Sequence, residues 1–472
     1  MTCCNDGELF NTLPEQMAPE RLYQDKPRLR MAERRQVSLR AVTLDDLIPA
    51  DHRVRLVWRF VEGLNLSPLL AEIKAVEGRP GHPPADPRIM VALWLFATIE
   101  GVGSAREVAR LCDEHIGYQW ICGGVRMNAK TLSDFRGGHG PIIENLLIDS
   151  FTALVKAGVA SLDRVAQDGV RVRASAGAAS FRRDSTLQEC RREAEKAVQN
   201  LRTQVATDHS SSSRQKASAC RRAAEERETR VLAALAVTEE LLAQQKEKAR
   251  KEAERAAERP VKKISDISGC EKKPGDTKPK ERQKEPRAST TDAQARVMKM
   301  PDGGFRPAYN IQFASDTKSG AIAAVSVDNI GSDMGKMAPM NEVLAANYGE
   351  RPRQHLADGG FAKFDDITAL AKAGVEAYVP VAAPRGDPTA DDRYTPRPND
   401  EAEIAAWRMR MGTDEAKAIY KERAQTAECA NAQARNRGLT QFLVRGLEKV
   451  TASAQWYALT HNMACTWRLV WA

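Results

Sequence analysis

Three carboxylates of this 472-residue chain stand in contexts that suit the binding of metal ions. Asp168 and Asp358 each follow a short apolar segment and precede glycine. We expect both carboxylates at or near the end of a short strand, where glycine lets a metal ion and its bound phosphate approach closely. An Asp-Gly pair also commonly forms a simple turn, and for either aspartate alone that interpretation is preferred.

The third carboxylate, Glu428, lies in a segment with helical spacing, in which Tyr420, Arg423 and Glu428 recur on adjoining turns. Two strand aspartates and a helical glutamate can hold a pair of Mg²⁺ ions, because Mg²⁺ prefers hard oxygen ligands and keeps some waters. Such ions ease in-line attack at a phosphodiester. The three residues together therefore predict metal-dependent chemistry on a phosphodiester.

The segments around these aspartates have strand-like patterns, and helical patterns separate the later ones. The strand patterns lie at 165–172, 309–314, 321–327, 354–357 and 375–381, and the helical ones at 337–347, 365–373, 401–411, 414–437 and 451–469. Strands followed by alternating helix and strand predict an α/β layer with a mixed sheet. Gly438 is expected to end the helix that carries Glu428.

The N-terminal third has helical patterns. The apolar run 89–99 is too short to cross a bilayer, which takes about 20 residues, so we expect a buried core helix. A helix capped by Ser104 and a shorter one over 131–136 would form a helix-turn-helix-like unit, although an ordinary helical bundle fits equally well. The aperiodic residues 1–30 are expected to be a disordered leader without a secretory signal, which predicts a cytoplasmic location.

The charge surplus of the chain is confined to one segment. Residues 182–288 contain 27 Lys and Arg against 19 Asp and Glu, whereas the other residues contain 44 of each. Apolar residues seven apart in this segment predict a coiled-coil hairpin of two antiparallel helices, followed by a flexible basic linker. A concentrated basic segment can bind a polyanion, although charged helices more often are only solvated.

Composition excludes several classes of protein. With 42% hydrophobic and 28% charged residues, the chain is not collagen-like, mucin-like or wholly disordered. Its nine cysteines include no Cys-x-x-Cys pair, so neither a disulfide framework nor a zinc site is predicted.

The chain resembles the DDE transposases of bacterial insertion sequences from about Met31 to its C-terminus. The early motifs are LRAVTLDDLIPADHRVR, GVGSAREVARLCDEHIGYQWICGG and KTLSDFR. The later motifs are QDGVRVRASA, PAYNIQFASDTKSGAI, LADGGFAKFDDI, YKERAQTAE and FLVRGLEKV. Each motif is unspecific by itself, whereas the set as a whole is highly specific.

This resemblance implies a ribonuclease-H-like catalytic domain in which Asp168, Asp358 and Glu428 bind two Mg²⁺ or Mn²⁺ ions. It implies an enzyme that cleaves DNA at the terminal inverted repeats of its element and joins the ends to target DNA, as a dimer on DNA. Such a protein would be associated with the bacterial nucleoid.

The resemblance also implies supporting residues. Tyr420 and Arg423 match the Tyr and Arg that precede the glutamate in this group, and Arg435 stands where related proteins often carry Lys. Arg171 and Arg173 alternate along the first strand and could face a phosphate backbone, although such arginines are at least as often simple solubilisers.

The predicted organisation places a charged insertion inside the catalytic domain. The predicted parts are a leader at 1–30, an all-α DNA-binding domain at 31–155, the catalytic domain at 156–181 and 289–472, and the coiled-coil insertion with its basic linker at 182–288. In the DNA-binding domain, Thr131, Ser133 and Arg136 are the candidate residues of a recognition helix.

Two other functions remain open from the sequence. One is a DNA-binding protein that has lost catalysis and acts as a repressor or architectural factor. The other is a metal-dependent nuclease without strand transfer.

Overall fold

The computed structural model describes residues 41–76, 82–207, 211–257, 285–383 and 391–471. The predicted leader and most of the predicted basic linker lie outside these residues. From Leu44 onward the described chain belongs to one compact unit. No helix in the described ranges combines the length and apolarity needed to span a membrane.

The N-terminal part of this unit is helical, as predicted. Its helices are α1 (Arg53–Glu62), α2 (Ser67–Ala71), α3 (Pro87–Ile99), α4 (Ala105–Glu114), α5 (Ile116–Cys122), α6 (Ala129–Gly138) and α7 (Gly140–Lys156). The side chain of Asp86 caps α3 by accepting a hydrogen bond from the backbone N–H of Arg88 at 2.8 Å. Since α3 is apolar around most of its circumference, it is buried on nearly all sides, which confirms the predicted core helix.

A mixed sheet forms the second part, again as predicted. Its strands are β1 (Arg164–Arg173), β4 (Arg296–Lys299), β5 (Phe305–Asp316), β6 (Ile322–Asp328), β7 (Gln354–Leu356) and β8 (Glu376–Tyr378), while β2 (Phe181–Arg182) and β3 (Ala288–Ser289) form a separate ribbon. Central β1 pairs antiparallel with β5 and parallel with β7. Beyond them, β6 and β4 pair antiparallel with β5, and β8 pairs parallel with β7.

The inserted segment is a helical hairpin of α8 (Asp184–Thr207) and α9 (Ser211–Ala257). Glu193 of α8 lies 3.6 Å from Arg227 of α9, and the later residue Arg202 of α8 lies 3.6 Å from the earlier residue Glu225 of α9. The two helices are therefore antiparallel. The predicted seam residues near the sheet are buried, whereas those farther along α9 are partly exposed. The buried ones are Leu187, Ala194, Val198, Val231 and Leu235.

The C-terminal helices cover both parts of the unit. They follow α10 (Met337–Tyr348) and α11 (Phe364–Lys372), and they are α12 (Ala402–Gly412), α13 (Asp414–Arg423), α14 (Cys429–Asn436) and α15 (Leu447–Thr466). Along α15, Trp456 and Leu459 pack into the core of the N-terminal helices, whereas Ala454 and Ala458 pack against the sheet. The helical N-terminal part therefore shares a helix with the sheet rather than closing its own core.

Candidate active site

Asp168 lies in the middle of β1, because the strand continues to Arg173. The expectation that Asp168 stands near a strand end was wrong, and the pair Asp168-Gly169 does not form a turn. A side chain at Gly169 would collide with the Asp333 carboxylate and the Gln312 amide, which pack directly on the strand. Glycine is therefore required at this position by close packing on the face of the sheet opposite Asp168.

Asp358 follows β7, the parallel neighbour of β1, and stands at the strand end as predicted. Its Oδ1 atom accepts a hydrogen bond from the backbone N–H of Gly360 at 2.8 Å, which caps a short 3₁₀ turn. Parallel pairing of β1 and β7 brings Asp168 and Asp358 to neighbouring strands.

Glu428 ends a π-helical turn, Ala424–Glu428, that joins α13 to α14. The predicted helix over 414–437 is therefore interrupted by a wider turn, a feature that often occurs at functional sites. Arg423 donates a hydrogen bond from Nη2 to Glu428 Oε1 at 3.3 Å, and its guanidinium lies 5.8 Å from the ring centre of Tyr420. Gly438, with φ of 86°, ends α14 as predicted.

Asn431 is a member of this site that sequence reasoning missed. It is buried on α14, and its Nδ2 donates a hydrogen bond to Asp168 Oδ2 at 2.9 Å. The other carboxylate oxygen of Asp168 accepts from the backbone N–H of Gly169 at 2.9 Å. The available signal was its position three residues after Glu428, which places the two on adjoining faces of one helix.

The charges of the residues around Asp168 shift its pKa and that of Tyr420, so these residues belong to one site. Burial raises the pKa of the Asp168 carboxyl, the Asp358 charge adds to the rise, and Gly169, Arg423 and Asn431 oppose it. Burial likewise raises the pKa of the Tyr420 phenol, with Arg423 opposing and both aspartates contributing. Asp168, Asp358, Arg423 and Tyr420 therefore lie within each other's electrostatic reach.

Glu428 is held differently from the two aspartates. Its side chain is 62% exposed and contacts Arg423. Within the described ranges, no group of three His, Cys, Asp or Glu side chains is arranged to hold a metal ion. The structure thus brings Asp168 and Asp358 together, and convergence of the full triad stays a prediction.

The candidate arginines of the sheet and of α14 have different surroundings. Arg171 projects from the opposite face of the sheet, where it lies 3.4 Å from Asp333. Arg173, the last residue of β1, and Arg435 on α14 are exposed. Asp333 also accepts hydrogen bonds from the amide side chains of Asn310 and Gln312.

The three candidates on α6 differ in accessibility. Thr131 and Ser133 are exposed, whereas Arg136 is 8% exposed with its guanidinium 4.5 Å from the ring centre of Trp94. Arg136 also donates a hydrogen bond to the carbonyl of Gly103. Since its guanidinium is used in packing, Arg136 is not available to DNA in this structure.

Replacing Asp168 by Asn is expected to stabilise the metal-free protein at neutral pH. Folding raises the pKa of this carboxyl, so its ionisation is less favourable in the folded protein than in the unfolded chain. The free energy of unfolding therefore falls as the pH rises from the pKa of the unfolded chain, about 3.9, through the pKa of the folded protein, and it stays lower above that pH. Asn431, whose Oδ1 has no hydrogen-bond partner in the described structure, can turn its amide to accept from the new Asn.

Thermal unfolding in chelator between pH 4 and pH 8 measures this effect. We expect the advantage of Asp168→Asn to grow with pH and then level off. The control Asp168→Ala should gain less, because it leaves the donors of Gly169 and Asn431 unpaired. An Asn variant that is less stable than the wild type at pH 7 would contradict the assignment of a charge penalty to this carboxyl.

Comparisons with known families agree at both ends of the chain. Residues 42–138 match a family described as a transposase domain (DUF772), and residues 389–467 match one described as a transposase DDE domain. The second match includes Tyr420, Arg423, Glu428 and Asn431. No curated protein and no solved structure matches the chain. A transposase domain matched before the sheet and a transposase DDE domain matched after it are together consistent with a DDE transposase of the insertion-sequence type.

Proposed function

We propose that this transposase binds the terminal inverted repeats of its element, cleaves the DNA there and joins the freed 3′-hydroxyls to target DNA. The observation that carries the proposal is that Asp168 on β1 and Asp358 just after β7, its parallel neighbour, lie close enough for the Asp358 charge to raise the pKa of Asp168, with Arg423, the partner of Glu428, opposing the rise. Two DNA ends must be joined in one reaction, so we propose that the protein acts as a dimer on DNA.

A ribonuclease-H-like catalytic fold is part of the proposal. Its support is the strand order β6-β5-β1-β7-β8, in which the first three strands are antiparallel and the last two run parallel to β1. The helical hairpin lies between β2 and β3, and therefore reads as an insertion into this fold.

The carboxylates suit a pair of divalent cations. Asp168 is half-buried, and burial and the charge of Asp358 raise the pKa of its carboxyl. A bound cation would therefore compensate the negative charge of the two carboxylates. Asp168, Asp358 and Glu428 would hold Mg²⁺ or Mn²⁺, which supplies charge stabilisation and activates the attacking oxygen when bound.

The residues around the carboxylates have separate tasks. Arg423 donates a hydrogen bond to Glu428, and its charge opposes the rise in the pKa of Asp168. Its guanidinium therefore provides a positive charge where a phosphodiester would lie. The Tyr420 phenol is protonated at neutral pH, and burial raises its pKa further, so its hydroxyl can donate a hydrogen bond to a phosphate oxygen.

Recognition of the inverted repeat is assigned to the N-terminal helices. On α6, Thr131 and Ser133 are exposed and can contact DNA, whereas Arg136 is left out of the proposal. Because Trp456 and Leu459 of α15 complete the core of these helices, recognition has to be tested with the full chain. Preference for end DNA over a scrambled duplex at physiological salt would support it.

Incubation of the full chain with a labelled element end and a target plasmid tests the proposal. In Mg²⁺ we expect a break at the element end and a joined product, and in chelator we expect neither, because the carboxylates cannot act without a cation. Cleavage without joining would favour the nuclease, and binding without cleavage would favour the inactive DNA-binding protein. Undiminished cleavage in chelator would refute the metal-dependent mechanism.

A further inference from the structure

The helical hairpin meets the rest of the chain at a cleft of about 290 Å³ that is lined by three arginines. Arg227 and Arg230 come from α9, and Arg445 comes from the loop before α15. Thr290 and Thr291, just after β3, add two hydroxyl groups, and no acidic residue of the described ranges lines the cleft. The cleft therefore gathers positive charge and hydrogen-bond donors from three separate parts of the sequence.

The arginines are incompletely paired within the described structure. The Nε atom of Arg230 is buried and has no hydrogen-bond partner there. Arg445 donates from Nε to the carbonyl of Ser175 at 3.3 Å, which orients its guanidinium without neutralising it. Arg227 lies 3.6 Å from Glu193, but these side chains are 57% and 70% exposed, so the pair is weak. A buried donor without an acceptor calls for an acceptor from outside the described chain.

Packing holds this arrangement in place. Leu187, Val231 and Leu235 of the hairpin are buried together with Ala288 of β3, so the base of the hairpin is attached to the ribbon by apolar contacts. Because Arg230 precedes one of these buried residues directly, its position relative to Arg445 is set by the core rather than by a flexible loop.

The cleft also lies within reach of DNA bound at the aspartates. Arg445 is bonded to Ser175, seven residues after Asp168 along the strand direction. At roughly 3.3 Å per residue, the backbone distance from Asp168 to Ser175 is at most about 23 Å. This distance is shorter than one turn of B-DNA, which is about 34 Å.

We infer that this arginine cleft binds a backbone phosphate of the same DNA duplex whose end lies at Asp168 and Asp358. The inference rests on the proposed function. A phosphodiester supplies the acceptor oxygens that Arg230 lacks, and planar guanidinium groups match phosphate geometry in a bidentate manner. Through this contact, arginines of the positively charged inserted segment would bind the DNA backbone at a defined position.

Three cysteines allow a test on the unmodified full chain. Cys190 lines the cleft, Cys429 is adjacent to Glu428, and Cys220 is exposed on α9 toward the tip of the hairpin. The protein is alkylated with a maleimide, with and without an element-end duplex, and each cysteine is followed by peptide mass spectrometry. We expect the duplex to slow alkylation of Cys190 and Cys429 about tenfold and to leave Cys220 unchanged.

The outcomes separate the two proposals. Protection of Cys429 without Cys190 overturns the cleft but not the proposed function, whereas no protection of Cys429 together with no cleavage overturns the proposed function. Equal protection of Cys220 indicates unspecific coating and overturns the cleft assignment. Protection of Cys190 by inorganic phosphate at physiological salt, without protection by DNA, identifies a free-anion site instead.

Charge variants give an independent test. Replacing Arg227, Arg230 and Arg445 by Gln should lower the magnitude of the slope of log affinity against log salt concentration by about 1, since the loss of one phosphate contact removes roughly 0.9. The matched control replaces three hairpin arginines outside the cleft, each paired with a glutamate, namely Arg191, Arg202 and Arg250. Arg230→Lys should keep the slope but lower the affinity. Equal slope changes in both triple variants would overturn the inference.

Discussion

The variant Asp358→Asn should lose at least about 10³-fold in strand cleavage at the element end while binding end DNA within about threefold of the wild type. The reason is that an amide replaces a carboxylate charge beside Asp168 without removing any of the proposed contacts to the DNA backbone. Its Oδ1 can still accept the hydrogen bond from Gly360, so the 3₁₀ turn after β7 should persist. Cleavage is measured in single-turnover conditions with saturating protein, and binding is measured separately.

The control for this variant is Asp365→Asn. Asp365 lies seven residues later at the start of α11, and its side chain is 82% exposed and contacts Lys363. It should cleave at nearly the wild-type rate. If Asp358→Asn also cleaved at the wild-type rate, Asp358 would not be a member of the active site.

The variant Trp456→Ala should lower the free energy of unfolding by about 3 to 5 kcal/mol. Trp456 is 2% exposed, it packs among the N-terminal helices, and its indole Nε1 donates a hydrogen bond to the carbonyl of Arg136 at 3.2 Å. Its removal leaves a cavity and an unpaired carbonyl where α15 joins these helices. Denaturant unfolding of the full chain, followed by both helical and near-ultraviolet signals, measures the loss.

Trp456→Phe and Leu443→Ala complete this experiment. Phe keeps most of the volume and loses the hydrogen bond, so we expect roughly half the effect or less. Leu443 is 55% exposed, so its truncation should change stability by less than about 0.5 kcal/mol. A change below about 1 kcal/mol for Trp456→Ala would show that α15 does not complete the N-terminal core.

Local patterns in the sequence were sufficient for most of the elements. The period of the valines around Asp168 predicted β1, the apolar run 89–99 predicted α3, and Gly438 marked the end of α14. These features depend on residues within one or two turns of each other. They are readable because side-chain period, caps and positive-φ glycines act locally.

The same local reasoning failed where distant residues compete for one place. Asp168-Gly169 looks like a turn until β5 pairs along the whole of β1 and Asp333 packs against the glycine. Arg136 looks like a DNA contact until Trp94 and Gly103 bind its guanidinium. In both cases the long-range partner changes the role of the residue.

From the sequence alone we predict an α/β chain with an inserted basic hairpin, and the resemblance to DDE transposases implies the three carboxylates as a metal-binding set. Tertiary structure decides that Asp168 and Asp358 meet, that Arg423 binds Glu428, and that Asn431 reaches Asp168 across 263 residues of sequence. Periodicity is a property of neighbouring residues, whereas the contacts of a site depend on which strands pair and which helix packs across them, and packing of the whole core selects that arrangement.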